Sequence, residues 1–152
     1  GYLLITMDAI ALYTSIKHAT GLAACNFFLN KRNIQLKAHT TMLLEMLNIC
    51  LHHNFFLFNK VIYKQEPGTA MGFSASPSYA NLTMGWWEQQ IAWDITNDQH
   101  VENIVLWLLF IDDLFIIRKG TKAEFKTYFQ KLNNSDTGRP SPMKAVKRRV
   151  YF

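Results

Sequence analysis

Two adjacent carboxylates, Asp112 and Asp113, stand between two strongly apolar runs, Ile104 to Ile111 and Leu114 to Ile117. Nothing else separates those runs, so the pair must sit at a tight strand-to-strand turn. Taken alone, the two acids suit a solvated turn equally well, because Asp accepts turn geometry readily. A third carboxylate, Asp8, ends another apolar run, Tyr2 to Met7. If that run lies beside the hairpin, three acids meet at one end of a sheet. Such a cluster carries a like-charge cost unless cations neutralise it. Oxygen donors with open positions suit Mg²⁺, which takes one or two carboxylates and completes its shell with water and phosphate. Two such ions about 3.5–4 Å apart stabilise the attacking and leaving oxygens of an in-line phosphoryl displacement. Asp8 and Asp112 are far apart in sequence, so their meeting is a tertiary expectation that periodicity cannot show.

The elements that must position these acids follow from pattern and punctuation. Tyr2 to Met7 suits a buried strand. Residues 17–30 have helical character, with Gly21 as a weak point. Residues 39–53 place Met42, Leu43, Met46, Leu47 and Cys50 at a helical period. Phe55 to Phe58 and Val61 to Lys64 flank Asn59-Lys60 and read as a β-hairpin. A glycine-rich turn follows, from Gln65 to Gly72. Ser76-Pro77 then opens a helix to about residue 93, with Ser as its cap and Pro in the first turn. Thr121-Lys122-Ala123-Glu124 is a capping-box pattern before a helix to about Leu132. From Asn133 the chain turns polar and loses periodicity, which reads as a loop or disordered tail. Strands that carry acids and are backed by helices suggest an α+β fold, an antiparallel sheet with helices on one face.

The length of 152 residues fits one domain, and it can bury roughly 70% of the surface of its unfolded chain. Hydrophobic residues make up 49% and charged residues 18%, which excludes an intrinsically disordered chain. The net charge of +5 suggests a nucleic-acid partner. Its location weakens that inference. Residues 134–152 hold Arg139, Lys144, Lys147, Arg148 and Arg149 against Asp136, leaving 11 basic and 10 acidic residues in the first 133. The basic excess therefore belongs to the tail and marks no groove by itself. Two cysteines, Cys25 and Cys50, imply no disulfide framework and fit a reducing, intracellular compartment. Neither a secretory signal nor a run long enough to span a bilayer is visible, so no membrane partner is expected. Cys50, His52 and His53 lack the second half of a metal motif and fit a helix end better. Trp86, Trp87 and Trp93 fit core or interface packing better than base stacking.

Three segments together resemble a known family. Asp8 to Ile16 (DAIALYTSI), Gly68 to Gly72 (GTAMG) with Ser76-Pro77, and Phe110-Ile111-Asp112-Asp113 occur in the order of reverse-transcriptase palm motifs. DAIALYTSI, GTAMG and SPSYANLTMGWWE look most like Penelope-like retroelements. The resemblance covers about residues 2 to 133. It implies a palm of antiparallel strands backed by helices, and an RNA-directed DNA polymerase that extends a primer 3′-OH with dNTPs. It implies that Asp8 and Asp112 bridge two Mg²⁺ ions, with Asp113 in support. Tyr13 matches an aromatic steric gate, whose ring would collide with a ribose 2′-OH; a core tyrosine at a strand–helix junction is the alternative. Gly68 and Gly72 would let the backbone approach the incoming nucleotide and template, unless they serve only an ordinary turn. Met71 would pack beneath the nucleotide, although Met is more often core, and Gln65 is a candidate polar contact. RNA template, DNA primer and dNTP are the implied partners, and the nucleus is the implied location.

The sequence departs from the family at Ala11, where Ser is more usual, and at Phe73-Ser74-Ala75. No later palm motif is recognisable after Asn133. Gly1 opens inside an apolar run, and the expectation is an incomplete palm without fingers or thumb: residues 1–133 as the palm fragment and 134–152 as a polar, basic, disordered tail. Such an isolated fragment is expected to be inactive, because positioning and electrostatic clamping supply most phosphoryl-transfer catalysis. The alternatives are a non-catalytic relict and a domesticated module that binds nucleic acid or protein.

Overall fold

The computed structural model describes residues 1–31, 37–92, 101–133 and 146–151. The described chain falls into two compact units, one made of residues 1–12 with 87–152 and the other of residues 13–86.

The first unit is built on a four-stranded antiparallel sheet of order β4-β5-β1-β6. Its strands are β1 (Tyr2–Ala9), β4 (Ile104–Phe110), β5 (Asp113–Lys119) and β6 (Val146–Tyr151). Although β1 is apolar almost throughout, it is buried on one face only. Leu3, Ile5, Met7 and Ala9 are buried, whereas Tyr2 and Leu4 are exposed. Period-two alternation carries the same division onto β5, where Leu114, Ile116 and Arg118 are buried. Trp87, Phe125 and Tyr128 complete the buried set, with the Trp87 and Trp107 rings 6.4 Å apart. Phe125 and Tyr128 come from α5 (Lys122–Asn133). Its capping box forms as the sequence requires: the Thr121 N–H donates to Glu124 Oε2 at 2.8 Å, and the Glu124 N–H donates to Thr121 Oγ1 at 3.4 Å.

Residues 146–151 correct part of the expectation for the tail. They form β6, paired antiparallel with β1 from Leu4↔Tyr151 to Ala9↔Val146. The edge of β1 supplies the backbone donors and acceptors that recruit this segment, and no local periodicity announces such a partner. Residues 134–145 lie outside the described residues, as does Trp93.

The second unit holds α1 (Leu12–Ser15, continuing from the first unit), α2 (His18–Lys31), α3 (Lys37–His52), the hairpin β2–β3 (Phe55–Phe58, Val61–Lys64) and most of α4 (Ser76–Trp87). A π-helical turn, Glu88–Ala92, extends α4. The hairpin has the predicted bounds, and its two turn residues, Asn59 and Lys60, both have positive φ, 49° and 62°. That is the geometry a two-residue turn needs to match strand twist. Gly21 lies where the Tyr79 ring packs: a Cβ there would strike the ring, so the glycine that weakens α2 makes room for an aromatic. The apolar stripe of α3 is helical as expected, yet Met42, Leu43 and Met46 are exposed, as is every residue of the hairpin.

Candidate functional site

The hairpin turn that carries the paired acids is two residues long, because Phe110 pairs with Asp113 across it. Ile111 and Asp112 fill the turn, and Ile111 has φ of 55°. A β-branched residue in the left-handed region is strained by about 1–3 kcal/mol, and such strain concentrates at functional sites. The turn lies beside β1. The Ala9 N–H donates to the Asp112 carbonyl at 2.9 Å, so Ala9 and Asp112 meet at a hydrogen-bonded position of the ladder. One residue away, Asp8 is the direct register partner of Asp113. Antiparallel ladders alternate, so Asp8 and Asp113 occupy a non-hydrogen-bonded position, where Cα atoms lie about 4.5 Å apart and side chains are close. Asp8 and Asp112 are half-buried and Asp113 is exposed.

Residues far apart in the sequence thus place three carboxyl-bearing positions at one end of one sheet. Among the described residues, no three His, Cys, Asp or Glu side chains close into a ready-made metal cage. Carboxylates are the donor type that Mg²⁺ takes, one or two at a time, with water and phosphate in its other positions. On the other side of β1, Lys147 of β6 is the register partner of Asp8. No spacing signal announces that pairing, because it depends on the return of β6.

In the second unit, the predicted nucleotide-contacting residues separate by role. Gly68 is buried with φ of 77°, and a Cβ on it would come within 2.5 Å of Thr14 Cα and 2.6 Å of the Tyr13 carbonyl oxygen. The glycine therefore permits a close approach of the turn to the chain's own α1 backbone. Next to it, the Thr69 N–H donates to the Tyr13 carbonyl at 2.7 Å. Tyr13 itself is half-buried. Gly72 is exposed, with open space where a Cβ would stand, and Met71 is 77% exposed. Gln65 closes the base of the hairpin: its N–H donates to the Asn54 carbonyl at 2.9 Å, and its side-chain amide donates to the Pro67 carbonyl at 3.2 Å.

Ser76 differs from its expected role as a helix cap. Its hydroxyl donates to the Ala70 carbonyl at 2.5 Å and lies 2.9 Å from Thr69 Oγ1, so it braces the glycine turn. Sequence reasoning also missed His18, whose Nε2 lies 2.6 Å from the Gly68 carbonyl oxygen. A half-buried histidine at a helix start has no spacing signal that would have revealed it.

Among the described residues, two groups have displaced proton affinities. Burial pushes the Cys25 thiol up from 9.0 to about 11. Burial also pushes the Tyr79 phenol up, and the nearby Cys25 charge adds to the shift.

No protein-family model matches the chain, and no curated protein matches its sequence. Solved structures do match in fold. Apo telomerase from Candida tropicalis, truncated from its C-terminal domain, superimposes with a TM-score of 0.71 at 13% identity, over 99% of this chain and 31% of that one. Apo telomerase from Candida tropicalis gives 0.72 at 12% identity, over 97% of this chain and 28% of that one. Telomerase from Candida albicans, in complex with the TWJ fragment of telomeric RNA, gives 0.74 at 11% identity, over 100% of this chain and 27% of that one. The chain thus spans less than a third of the length of these neighbours. At such identities the likeness shows the fold alone: a mixed α+β, palm-like arrangement of antiparallel strands backed by helices. Among the described residues, no helix is long and apolar enough to cross a membrane.

Proposed function

We propose that this chain is the palm region of an RNA-directed DNA polymerase from a Penelope-like retroelement, acting with RNA template, DNA primer and dNTP in the nucleus. The register partnership of Asp8 with Asp113, with Asp112 held beside them through Ala9, carries the proposal. The motif order in the sequence and the likeness of fold support it.

Asp8, Asp112 and Asp113 would hold two Mg²⁺ ions, which supply electrostatic stabilisation of the attacking primer oxygen and the leaving pyrophosphate oxygen. The protein's own contribution is placement. The strained Ile111–Asp112 turn and the Ala9–Asp112 hydrogen bond fix the backbone that presents the acids. Tyr13 would exclude a ribose 2′-OH, and the turn of Gly68, Met71 and Gly72, based on Gln65, would border the nucleotide. Gly68 serves this role indirectly, by letting the turn pack on the Tyr13–Thr14 backbone.

Primer extension with Mg²⁺ by a longer polypeptide that contains these residues tests the reading. Asp112→Asn is expected to lower incorporation at least 100-fold, and activity equal to the parent removes the role given to Asp112. Tyr13→Ala is expected to raise ribonucleotide incorporation.

A non-catalytic reading applies to the 152 residues on their own, because they cover less than a third of each neighbouring polymerase. The isolated chain is expected to incorporate no dNTP, and measurable incorporation refutes that. A binding module that uses the basic tail would show a steep salt dependence of RNA retention on filters, lost when Lys147, Arg148 and Arg149 become Gln.

A further inference from the structure

In the second unit, His18 at the start of α2 faces His52 at the end of α3. His18 Nδ1 and His52 Nε2 are 3.4 Å apart, with the ring centroids 4.6 Å apart. The far nitrogen of each ring is occupied. His18 Nε2 is 2.6 Å from the Gly68 carbonyl oxygen, and His52 Nδ1 is 2.9 Å from the Asn48 carbonyl oxygen. A carbonyl only accepts, so each of those nitrogens must carry the N–H. In two neutral imidazoles the facing nitrogens are then both bare lone pairs. Two lone pairs at 3.4 Å repel, so either a second proton on one ring or a metal cation lies between them.

The geometry points to a divalent metal-binding site of the Zn²⁺ class formed by His18 and His52. Three observations on the pair agree with it. Two nitrogens bound to one Zn²⁺ at about 2.0–2.1 Å and a tetrahedral angle lie about 3.3–3.4 Å apart; the separation here is 3.4 Å, and the edge-on rings, 4.6 Å apart at their centroids, need only open slightly to converge on one ion. Metal-ligating histidines almost always donate their other ring N–H to a carbonyl or carboxylate, which fixes tautomer and orientation; both rings do so here. His52 is exposed and His18 half-buried, so the remaining coordination positions face water. Among the described residues, no third His, Cys, Asp or Glu joins the pair, so two positions are left to solvent or to a ligand from elsewhere. Imidazole nitrogens select Zn²⁺, Cu²⁺ or Ni²⁺ over Mg²⁺, which separates this site chemically from the carboxylates of the first unit.

The site would act as a clasp. A metal there ties the end of α3 to the start of α2 and, through the His18–Gly68 hydrogen bond, to the glycine turn that Thr69 anchors on Tyr13.

Calorimetric titration of the full 152-residue chain with Zn²⁺, and in parallel with Mg²⁺, tests the assignment. Thermal unfolding with and without Zn²⁺ is the second readout. Stoichiometric Zn²⁺ binding and a raised Tm are expected, with both effects lost in His52→Gln and kept in His53→Gln. His53 is a fitting control, because its Nδ1 also meets the carbonyl one turn back, Ile49, yet among the described residues it has no imidazole partner. His52 is exposed, so its replacement leaves the fold intact, and far-ultraviolet circular dichroism confirms that. Absence of Zn²⁺ binding by the parent chain overturns the proposal, as does binding that survives in His52→Gln.

Discussion

Asp8 stands directly opposite Asp113 in the antiparallel β1–β5 register, so two carboxylates occupy one cross-strand pair at a position where side chains come close. Like charges placed this way oppose the sheet that brings them together. An ordinary structural sheet gains nothing from that arrangement, and a divalent cation reverses its sign.

The first prediction follows from that reversal. Without divalent ions, Asp113→Asn is expected to stabilise the chain by about 0.2–1 kcal/mol, the usual range of cross-strand pair effects. With Mg²⁺ in the millimolar range, the parent should gain Tm and Asp113→Asn should gain less. Chemical denaturation with and without Mg²⁺ gives both numbers. A variant less stable than the parent in the absence of Mg²⁺ would mean that the two carboxylates do not repel.

Local chemistry made much of this fold legible. Asn59-Lys60 between apolar runs announced a two-residue hairpin, and both residues have the positive φ that such a turn needs. Thr121 and Glu124 announced a helix start, and their reciprocal hydrogen bonds are present. The acids were legible as residues, while their meeting was expected only from the motif resemblance, because periodicity cannot show that β1 pairs with the distant β5. β6 escaped notice for the same reason: its partner is the distant β1, and its own composition is polar. Ser76 misled because a serine before proline fits a helix cap, while tertiary packing gives its hydroxyl the Ala70 carbonyl instead.

The glycine turn gives a contrast within a single motif. Gly68 combines a φ of 77° with backbone atoms of Tyr13 and Thr14 where a Cβ would lie. Left-handed strain and overpacking each cost about 1–3 kcal/mol, so Gly68→Ala is expected to lose at least about 2 kcal/mol. Gly72 has open space around it, and Gly72→Ala should stay within about 0.5 kcal/mol of the parent. Urea denaturation of the two variants side by side checks the ranking, and equal stabilities would contradict the close approach at Gly68.

Cys25 sets a limit on alkaline stability. Its thiol is pushed up from 9.0 to about 11 by burial. Above pH 9 the unfolded chain loses this proton while the folded chain keeps it. The unfolded state therefore binds fewer protons, and stability falls as pH rises. The loss should develop between pH 9 and about 11, and Cys25→Ala should flatten that part of the profile. The thiolate is also the reactive form, so iodoacetamide at neutral pH should label exposed Cys50 well before Cys25. Equal labelling rates in the native chain would contradict the burial.

Ile111 offers a test of strain next to the acids. Replacing a strand isoleucine by glycine ordinarily costs several kcal/mol, because buried methyls are lost and the unfolded backbone gains freedom. Ile116, fully buried on β5, should behave so. Ile111 is half-buried and has φ of 55°, a conformation that glycine adopts without penalty and isoleucine holds at about 1–3 kcal/mol. The two terms oppose each other at Ile111 and not at Ile116. Ile111→Gly is therefore expected to lie within about 1 kcal/mol of the parent, while Ile116→Gly loses about 3 kcal/mol or more. If the turn serves to aim Asp112 and Asp113, the freed backbone should still weaken the Mg²⁺-dependent gain in Tm. A large loss of stability in Ile111→Gly would show that packing, and not strain, governs the turn.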